Sequence, residues 1–247
     1  MFRNDGVKLG WRLILFTVAG IGLTRSSITY AQETDPRGLF SAVSTSLLQT
    51  FNDHITLTVN SPDGQSKIIA RAEGETLVLR VEGRIGSSTL KFGGGPNAEV
   101  EWSPDSEAFW ITDDWDGLSG LYRLTVVGRA NGRLKVHHLS SIVGKKFGHP
   151  VRCFEREPAN VAGIGWLGSS HELLAVAEIT PHSNCDGMGT FKAYKVDPWR
   201  MVVLKTYTQR EAKEQFAAML GPRPLNATDC DQDPKACYIP QLHPELR

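Results

Sequence analysis

Residues 101–117 read EWSPDSEAFWITDDWDG, and this stretch contains the pattern that decides the fold. A short strand-like run ends at Trp102, and a Ser-Pro-Asp turn, a second apolar run and three aspartates follow it. Pro104 presets the backbone φ angle for a tight turn, and the Asp105 side chain can accept hydrogen bonds from nearby backbone amides. The stretch therefore predicts two short antiparallel strands joined by a tight turn.

The same order of features occurs three times along the chain. Each copy has four strand-like runs, with a tight turn between the first two, and the turns lie at 61–64, 103–106 and 167–170. The interval from Asn60 to Trp102 is 42 residues, and the interval from Trp102 to Trp166 is 64. A period of about 40–45 residues with four strands in each unit is typical of β-propeller blades. The 22 additional residues of the second interval predict an insertion.

We therefore predict an all-β protein that forms a partial or small β-propeller-like array of about three four-stranded antiparallel blades, with short helical segments at both ends. An N-terminal segment, predicted to be helical, precedes the blades, and a C-terminal helix with a disulfide-held strap follows them. The predicted boundaries are 32–54 for the N-terminal segment, 55–92, 98–139 and 161–207 for the blades within 55–207, 140–160 for the insertion, and 208–247 for the C-terminal segment.

The segment WSPDSEAFWITDDWDG…LYRL, which begins at Trp102, resembles the TolB-type, WD40-like propeller repeat. That repeat consists of a Ser-Pro-Asp-Gly turn, an apolar strand, a polar Asp-Gly loop and a Tyr-containing strand. The resemblance covers about residues 55–205 and implies a blade rather than a particular activity. Closed propellers have about 4–8 blades, so we expect a monomer whose terminal segments cover the open edges. A fourth blade that uses the N-terminal segment and a dimer that completes the ring are the alternatives.

The first 31 residues have the pattern of a secretory signal peptide. Basic residues precede an 11-residue apolar run at 13–23, and Thr29 and Ala31 stand three positions and one position before a cleavage site at Gln32. The apolar run is shorter than the ~20 residues that a membrane-spanning helix needs. We expect cleavage between Ala31 and Gln32 and a periplasmic or secreted protein without stable membrane insertion. An uncleaved membrane anchor is the alternative.

The charge of the chain without its first 31 residues bears on the class of partner. Removing residues 1–31 lowers the basic side chains from 27 to 23 and the acidic ones from 27 to 26, which gives a net charge of −3. Nucleic acids and anionic membranes select basic surfaces. We therefore expect no nucleic-acid partner, and we expect a protein or another component of the cell envelope instead.

Four cysteines favour disulfide bonds in an exported chain, and they allow three pairings. They are Cys153, Cys185, Cys230 and Cys237. A Pro-containing turn between Cys230 and Cys237 favours that pair, and Cys153–Cys185 would then be the second bridge. The alternative is a zinc site, because the spacings from His149 to Cys153 and from His182 to Cys185 suit a Cys2His2 set of ligands.

The candidate binding site is the polar loop after the second strand of the middle repeat. It contains Asp113, Asp114, Trp115 and Asp116. An EF-hand loop needs a glutamate at position 12, whereas position 12 counted from Asp113 is Leu124. We expect a polar turn with solvated carboxylates that contacts a partner. A calcium site made with loops of other blades is the alternative.

The sequence contains no catalytic motif that we recognise. Residues 165–169 read GWLGS and do not match the Gly-x-Ser-x-Gly nucleophile elbow. His137 and His138 are successive residues of a predicted strand and point to opposite faces. We therefore predict a non-catalytic scaffold that needs no cofactor and binds an envelope partner through its loops. The alternative is a hydrolase that uses carboxylates of the blade loops.

Overall fold

Antiparallel strands make up most of the computed structural model, which describes residues 38–52, 55–93, 97–115, 120–130, 133–148, 158–181, 183–230 and 237. The chain in this part first forms strand β1 (Thr45–Ser46) and the short helix α1 (Leu48–Asn52). The prediction of a helical segment at 32–54 is therefore wrong for residues 38–47. These residues run as irregular chain and a two-residue strand, because their polar groups bond to strands that come later in the sequence.

Three antiparallel sheets follow in chain order, and the prediction of an all-β fold is confirmed. The first sheet contains strands β2 (Leu57–Asn60), β3 (Ser66–Glu73), β4 (Thr76–Gly83) and β5 (Ser88–Phe92). The second sheet contains β6 (Glu99–Trp102), β7 (Ala108–Asp114), β8 (Tyr122–Ala130) and β9 (Arg133–His138), and β1 pairs with β6 as its fifth strand. Apart from β1, each strand of a sheet pairs with the next strand in sequence.

The third sheet is separated from the second by a helix. Helix α2 (Ser140–Phe147) lies in the predicted insertion, and its buried residues Val143 and Phe147 pack in the core between the second and third sheets. The third sheet contains β10 (Asn160–Trp166), β11 (Leu173–Glu178), β12 (Phe191–Asp197) and β13 (Val202–Tyr207). Helices α3 (Gln209–Phe216) and α4 (Pro222–Leu225) follow.

The three sheets stack face to face around two apolar cores. Ile68 and Leu79 of the first sheet meet Phe109 and Ile111 of the second. On its other face, the second sheet packs against the third through Trp110 and further apolar side chains. Trp102 and Trp166 lie between sheets, and each is 6 % exposed.

The tight turns of successive repeats are joined by hydrogen bonds. The Asp63 amide donates to Ser106 Oγ at 3.1 Å, and this bond links the first turn to the second. Asp105 Oδ2 accepts from both the amide and the hydroxyl of Ser170, at 2.9 and 2.8 Å, and so links the second turn to the third. The third position of each turn thus contacts the fourth position of the next, even though the third turn lacks the Ser-Pro pair.

The two ends of the stack are sheet faces rather than strand edges. The outer face of the first sheet carries cross-strand charges, such as Lys67 and Glu82 at 3.2 Å. The outer face of the third sheet is covered by α3 and by both terminal segments, with Phe40, Ala212 and Leu220 in one core. The two ends of the array are therefore sheet faces and not the strand edges that we expected, because the sheets stack on one another. Within the described residues, terminal segments cover the third sheet and leave the first sheet's outer face uncovered.

The N-terminal segment is fixed by a buried carboxyl group in β6. The amides of Phe40 and Ser41 donate to Glu99 at 3.2 Å each, and Ser44 Oγ donates to it at 2.8 Å. Ser41 Oγ donates to the carbonyl of Ile164 in β10 at 2.6 Å. The segment therefore joins the first strands of the second and third sheets. Burial raises the pKa of Glu99 to about 8.

Candidate functional site

The predicted binding residues lie where β7 ends, at the end of the sheets opposite the tight turns. Asp113 and Asp114 are the last residues of β7 and are 1 % and 3 % exposed, so they are not the solvated loop carboxylates that we expected. Both residues are buried because β7 continues through them and the neighbouring sheets cover this strand. Trp115 comes next and is 43 % exposed. Asp116 lies outside the described residues.

Asp113 holds an arginine that supports Trp115. Asp113 Oδ2 is 2.8 Å from an NH2 group of Arg123 on the neighbouring strand β8. The Arg123 guanidinium lies 5.1 Å from the centre of the Trp115 ring, a distance typical of a cation–π contact. Burial raises the pKa of Asp113, and the hydrogen bond and charge of Arg123 act against that rise. The buried aspartate therefore fixes the exposed tryptophan through the arginine.

Trp115 borders an open groove of about 650 Å3. We call it the Trp115 groove. Its described lining comes from the β7–β8 connection, the start of β8, helix α2 with the glycine after it, and the two residues before β10. It consists of Trp115, Leu121, Tyr122, Arg123, Ser140, Ser141, Gly144, Lys145, Gly148, Pro158 and Ala159. Ser140 Oγ accepts from the Leu124 amide at 2.9 Å and ties the start of α2 to β8. The groove thus has walls that are anchored on regular elements.

The wall formed by Tyr122 lies on a buried polar cluster. Glu178 in β11 accepts from Arg223 of α4 at 2.5 Å and from Asn160 Nδ2 at 2.9 Å. Asn160 Oδ1 in turn accepts from the Tyr122 amide at 3.0 Å. Burial raises the pKa of Glu178, while the charge of Arg223 opposes the rise. These contacts hold the second and third sheets and the C-terminal segment together behind the groove.

Arg223 also contacts two aromatic rings. Its guanidinium lies 5.0 Å from the ring centres of both Phe40 and Tyr122. The Gly221 amide donates to the Phe40 carbonyl at 2.7 Å, so the two terminal segments meet at this point. A side chain from the C-terminal segment therefore closes the core that the N-terminal segment covers.

Sequence reasoning identified Trp115, but it missed the residues that hold Trp115, that line the groove with it, or that form the polar cluster behind the groove. Arg123, Lys145, Glu178 and Arg223 were not predicted. Glu178 did leave a signal, since it is the one charged residue in the apolar run at 173–179. Glu99 left a similar signal beside Val100. The other roles depend on contacts between residues that are far apart in sequence, for which the local pattern has no sign.

The cysteines support the disulfide interpretation rather than the zinc site. Cys230 and Cys237 form a disulfide with their Cα atoms 5.6 Å apart. Cys185 is also disulfide-bonded. Its predicted partner Cys153 lies outside the described residues, as do His149 and His182 of the zinc alternative. A sulfur in a disulfide has no thiolate to offer a metal.

Two features are absent from the described ranges of the chain. Within them, no group of three or more His, Cys, Asp or Glu side chains is placed to hold a metal ion. None of the helices in the same part of the chain has the length and apolar character that crossing a membrane requires. The predicted signal peptide and its cleavage site at Ala31 and Gln32 lie outside the described residues.

Comparisons with protein-family models, curated proteins and solved structures found no match for this chain. A functional assignment therefore has to follow from the chemistry of the site.

Proposed function

We propose that this protein is an exported, non-catalytic scaffold with a β-propeller-like stack of sheets, and that it binds a protein or another component of the cell envelope at the Trp115 groove. The observation that carries the proposal is the exposure of Trp115 on a rigid base. A large aromatic side chain that is 43 % exposed beside a groove is typical of a binding surface. Binding residues commonly lie on loops that a rigid scaffold positions.

The base under Trp115 supports a binding role rather than a mobile loop. Arg123 stacks on the indole and is itself held by the buried Asp113. A side chain that is fixed before binding loses little conformational entropy when a partner packs on it. The aromatic ring and the two walls of the groove are thus prepared for a partner of complementary shape.

The repeat pattern supports the propeller-like part of the proposal. Three sheets, each built on four strands that follow one another in sequence, stack face to face, and their turns carry equivalent contacts, such as that between Asp105 and Ser170. In repeat proteins, the insertions of successive repeats form loops on one face, which is often the binding face. The TolB-type resemblance of the middle repeat agrees with this arrangement. Because terminal segments cover one end of the stack and charges cover the other, we propose a monomer.

Export is supported by the N-terminal pattern and by the disulfides. Disulfide bonds persist in the periplasm and outside the cell, and are rare in reducing compartments. The mass of the protein recovered from those compartments should correspond to a chain that begins at Gln32. A recovered chain that still begins at Met1 would contradict the cleavage.

Affinity capture from a solubilised envelope fraction tests the binding role. Wild-type protein and the Trp115→Ala variant serve as baits, and quantitative mass spectrometry compares the proteins and other components that each retains. Val202→Ala is the matched control, because Val202 is 41 % exposed and lies on β13, away from the groove. We expect a component that Trp115→Ala loses and Val202→Ala keeps. Equal retention by all three baits would contradict the proposed site.

A further inference from the structure

We infer that the Trp115 groove binds an acidic peptide segment that also carries apolar side chains. This inference rests on the proposed function and names the class of ligand for the same groove. It is carried by the charges and the apolar surface of the described lining, which point to the same kind of ligand.

The described lining of the groove carries a net positive charge. Two of its described lining residues, Arg123 and Lys145, are cationic, and none of the described lining residues carries a carboxylate. The charge of Arg123 is balanced by Asp113 directly behind it. Lys145 is exposed on α2 and forms no ion pair with another described residue. A carboxylate at the mouth of the groove would therefore meet an attractive field, and Arg123 offers further N–H donors to it.

The rest of the lining selects apolar groups. Trp115, Leu121, Pro158 and Ala159 are apolar or aromatic, and they come from both walls. Aliphatic side chains would bury their surface against these residues at a gain of about 25 cal/mol per Å2. The combination of an apolar wall with a cation fits a peptide in which acidic and apolar residues occur together.

A glycan fits the same lining less well. A sugar presents many hydroxyl groups, and each of them needs a hydrogen-bond donor or acceptor in the site. Specific pockets offer only a few precisely placed polar groups. The side-chain hydroxyls in the described lining belong to Tyr122, Ser140 and Ser141, and the Ser140 hydroxyl already accepts from a backbone amide. An acidic sugar could meet Lys145 but would leave most of its hydroxyls facing apolar groups. We therefore assign the groove to a peptide.

The size of the groove sets the length of the segment. A volume of about 650 Å3 lies within the range of about 300–1,000 Å3 that holds a compact ligand. The groove therefore takes a few residues of a partner chain rather than a folded domain. A short segment of this kind can be tested as an isolated peptide.

The experiment measures binding of fluorescein-labelled pentapeptides to the purified, oxidised protein by fluorescence anisotropy. The peptides alternate leucine with glutamate, glutamine or lysine, and an oligogalacturonate serves as the acidic glycan. Lys145→Glu is the test variant. Lys146→Glu is the matched control, since Lys146 is the next residue on α2, is likewise exposed, and is not among the described residues that line the groove. Trp115→Ala tests the apolar contact.

We expect the glutamate–leucine peptide to bind most tightly. Lys145→Glu should weaken its binding at least about fivefold and Lys146→Glu less than about twofold, because an attractive charge contact becomes a repulsive one only at the groove. Raising the salt concentration to about 1 M should weaken binding of this peptide, since exposed charges are then screened within a few ångströms. Trp115→Ala should weaken binding of the glutamate and glutamine peptides alike.

Equal effects of Lys145→Glu and Lys146→Glu would overturn the inference, and so would tighter binding of the oligogalacturonate or of the lysine peptide. Absence of binding by every peptide would overturn it as well. In each of these cases, an envelope component that depends on Trp115 in the capture experiment would leave the proposed function standing. Loss of that dependence would instead contradict the proposed function itself.

Discussion

The indole Nε1 of Trp102 donates a hydrogen bond to the backbone carbonyl of Val59, at 3.0 Å. Trp166 makes the equivalent contact one sheet further along, with its Nε1 3.4 Å from the carbonyl of Glu101. Trp102 corresponds to Asn60 in the first repeat, and Trp166 corresponds to Trp102 in the second. Each tryptophan therefore donates to the residue just before its counterpart in the preceding repeat. The repeat in the sequence thus becomes a repeated contact between sheets, and this contact sets how each sheet is placed on the one before it.

Replacing Trp102 with alanine should destabilise the protein strongly. The indole is 6 % exposed and packs edge-on against Phe109 with ring centres 5.2 Å apart. Truncation of a buried aromatic side chain costs about 3–5 kcal/mol, so the melting temperature measured by circular dichroism should fall sharply. Trp115→Ala is the control and should leave the melting temperature nearly unchanged, because Trp115 is exposed. An unchanged melting temperature of Trp102→Ala would show that this contact between sheets does not stabilise the protein.

The strands were predictable because their turns are built from local chemistry. Pro62 and Pro104 fix the turn geometry, and the alternation of apolar and polar residues around them identifies the strands. The N-terminal segment was mispredicted because its structure depends on Glu99, which lies 55 or more residues away from Phe40, Ser41 and Ser44. The spacing of apolar residues in that segment resembles that of a helix, but the bonds to Glu99 and Ile164 favour irregular chain.

The site was predictable only in part, for the same reason. Trp115 was singled out because an aromatic residue among aspartates in a loop is conspicuous in sequence. The burial of Asp113 and Asp114 was not foreseen, since β7 continues through them and the strand's length is set by its pairing with β8. The role of Arg123 becomes apparent only from the structure, because Arg123 and Asp113 lie on neighbouring strands.

Glu99 should make the protein less stable as the pH rises. Burial raises its pKa from 4.5 to about 8, so the folded state holds this proton more tightly than the unfolded chain does. The resulting stabilisation is fully present below about pH 4.5 and is lost progressively as the pH approaches 8. Glu101, whose pKa burial raises to about 7, acts in the same direction. Over this pH window, Glu99 alone should cost at most about 5 kcal/mol.

The Glu99→Gln variant tests this linkage. Glutamine keeps the shape of the side chain and does not ionise. Its single carbonyl oxygen can replace one of the two Glu99 oxygens that accept from the Phe40 and Ser41 amides. The free energy of unfolding in urea is measured at a series of pH values from about 4 to about 9, which includes the pKa of Glu99 in the unfolded and in the folded state. It should fall less steeply with rising pH for Glu99→Gln than for the wild type. Identical pH dependence of the two proteins would show that Glu99 ionises in the folded state as it does in the unfolded chain.

Replacing Arg223 with methionine should destabilise the protein by leaving Glu178 without its partner. Loss of one member of a buried ion pair costs about 3–5 kcal/mol, because an uncompensated charge remains. Methionine retains apolar contact with Phe40 and Tyr122, so the loss of stability reports the missing charge of Arg223. Adding Glu178→Gln to Arg223→Met should recover part of the stability in chemical denaturation. A double variant that is less stable than Arg223→Met alone would contradict the pairing.

Thiol chemistry checks the disulfides. The denatured, non-reduced protein should contain no reactive thiol, because the described cysteines are all bonded. In Cys185→Ser, alkylation followed by peptide mapping should find one new thiol, at Cys153. Removing the Cys230–Cys237 bridge should cost about 2–3 kcal/mol, as expected for a short loop. Four reactive thiols together with one bound zinc ion would instead support the site that includes His149 and His182.

Photo-cross-linking from position 115, in cells that produce the protein, shows whether the Trp115 groove contacts a partner. A photoreactive phenylalanine analogue replaces Trp115 in one strain and Val202 in another, and both sites are about equally exposed at 43 % and 41 %. The proposed role predicts a discrete covalent adduct with an envelope component from position 115 and none from position 202. An adduct from position 202 alone, or none from position 115 while the protein is folded and exported, would contradict the assignment of the Trp115 groove as the binding surface.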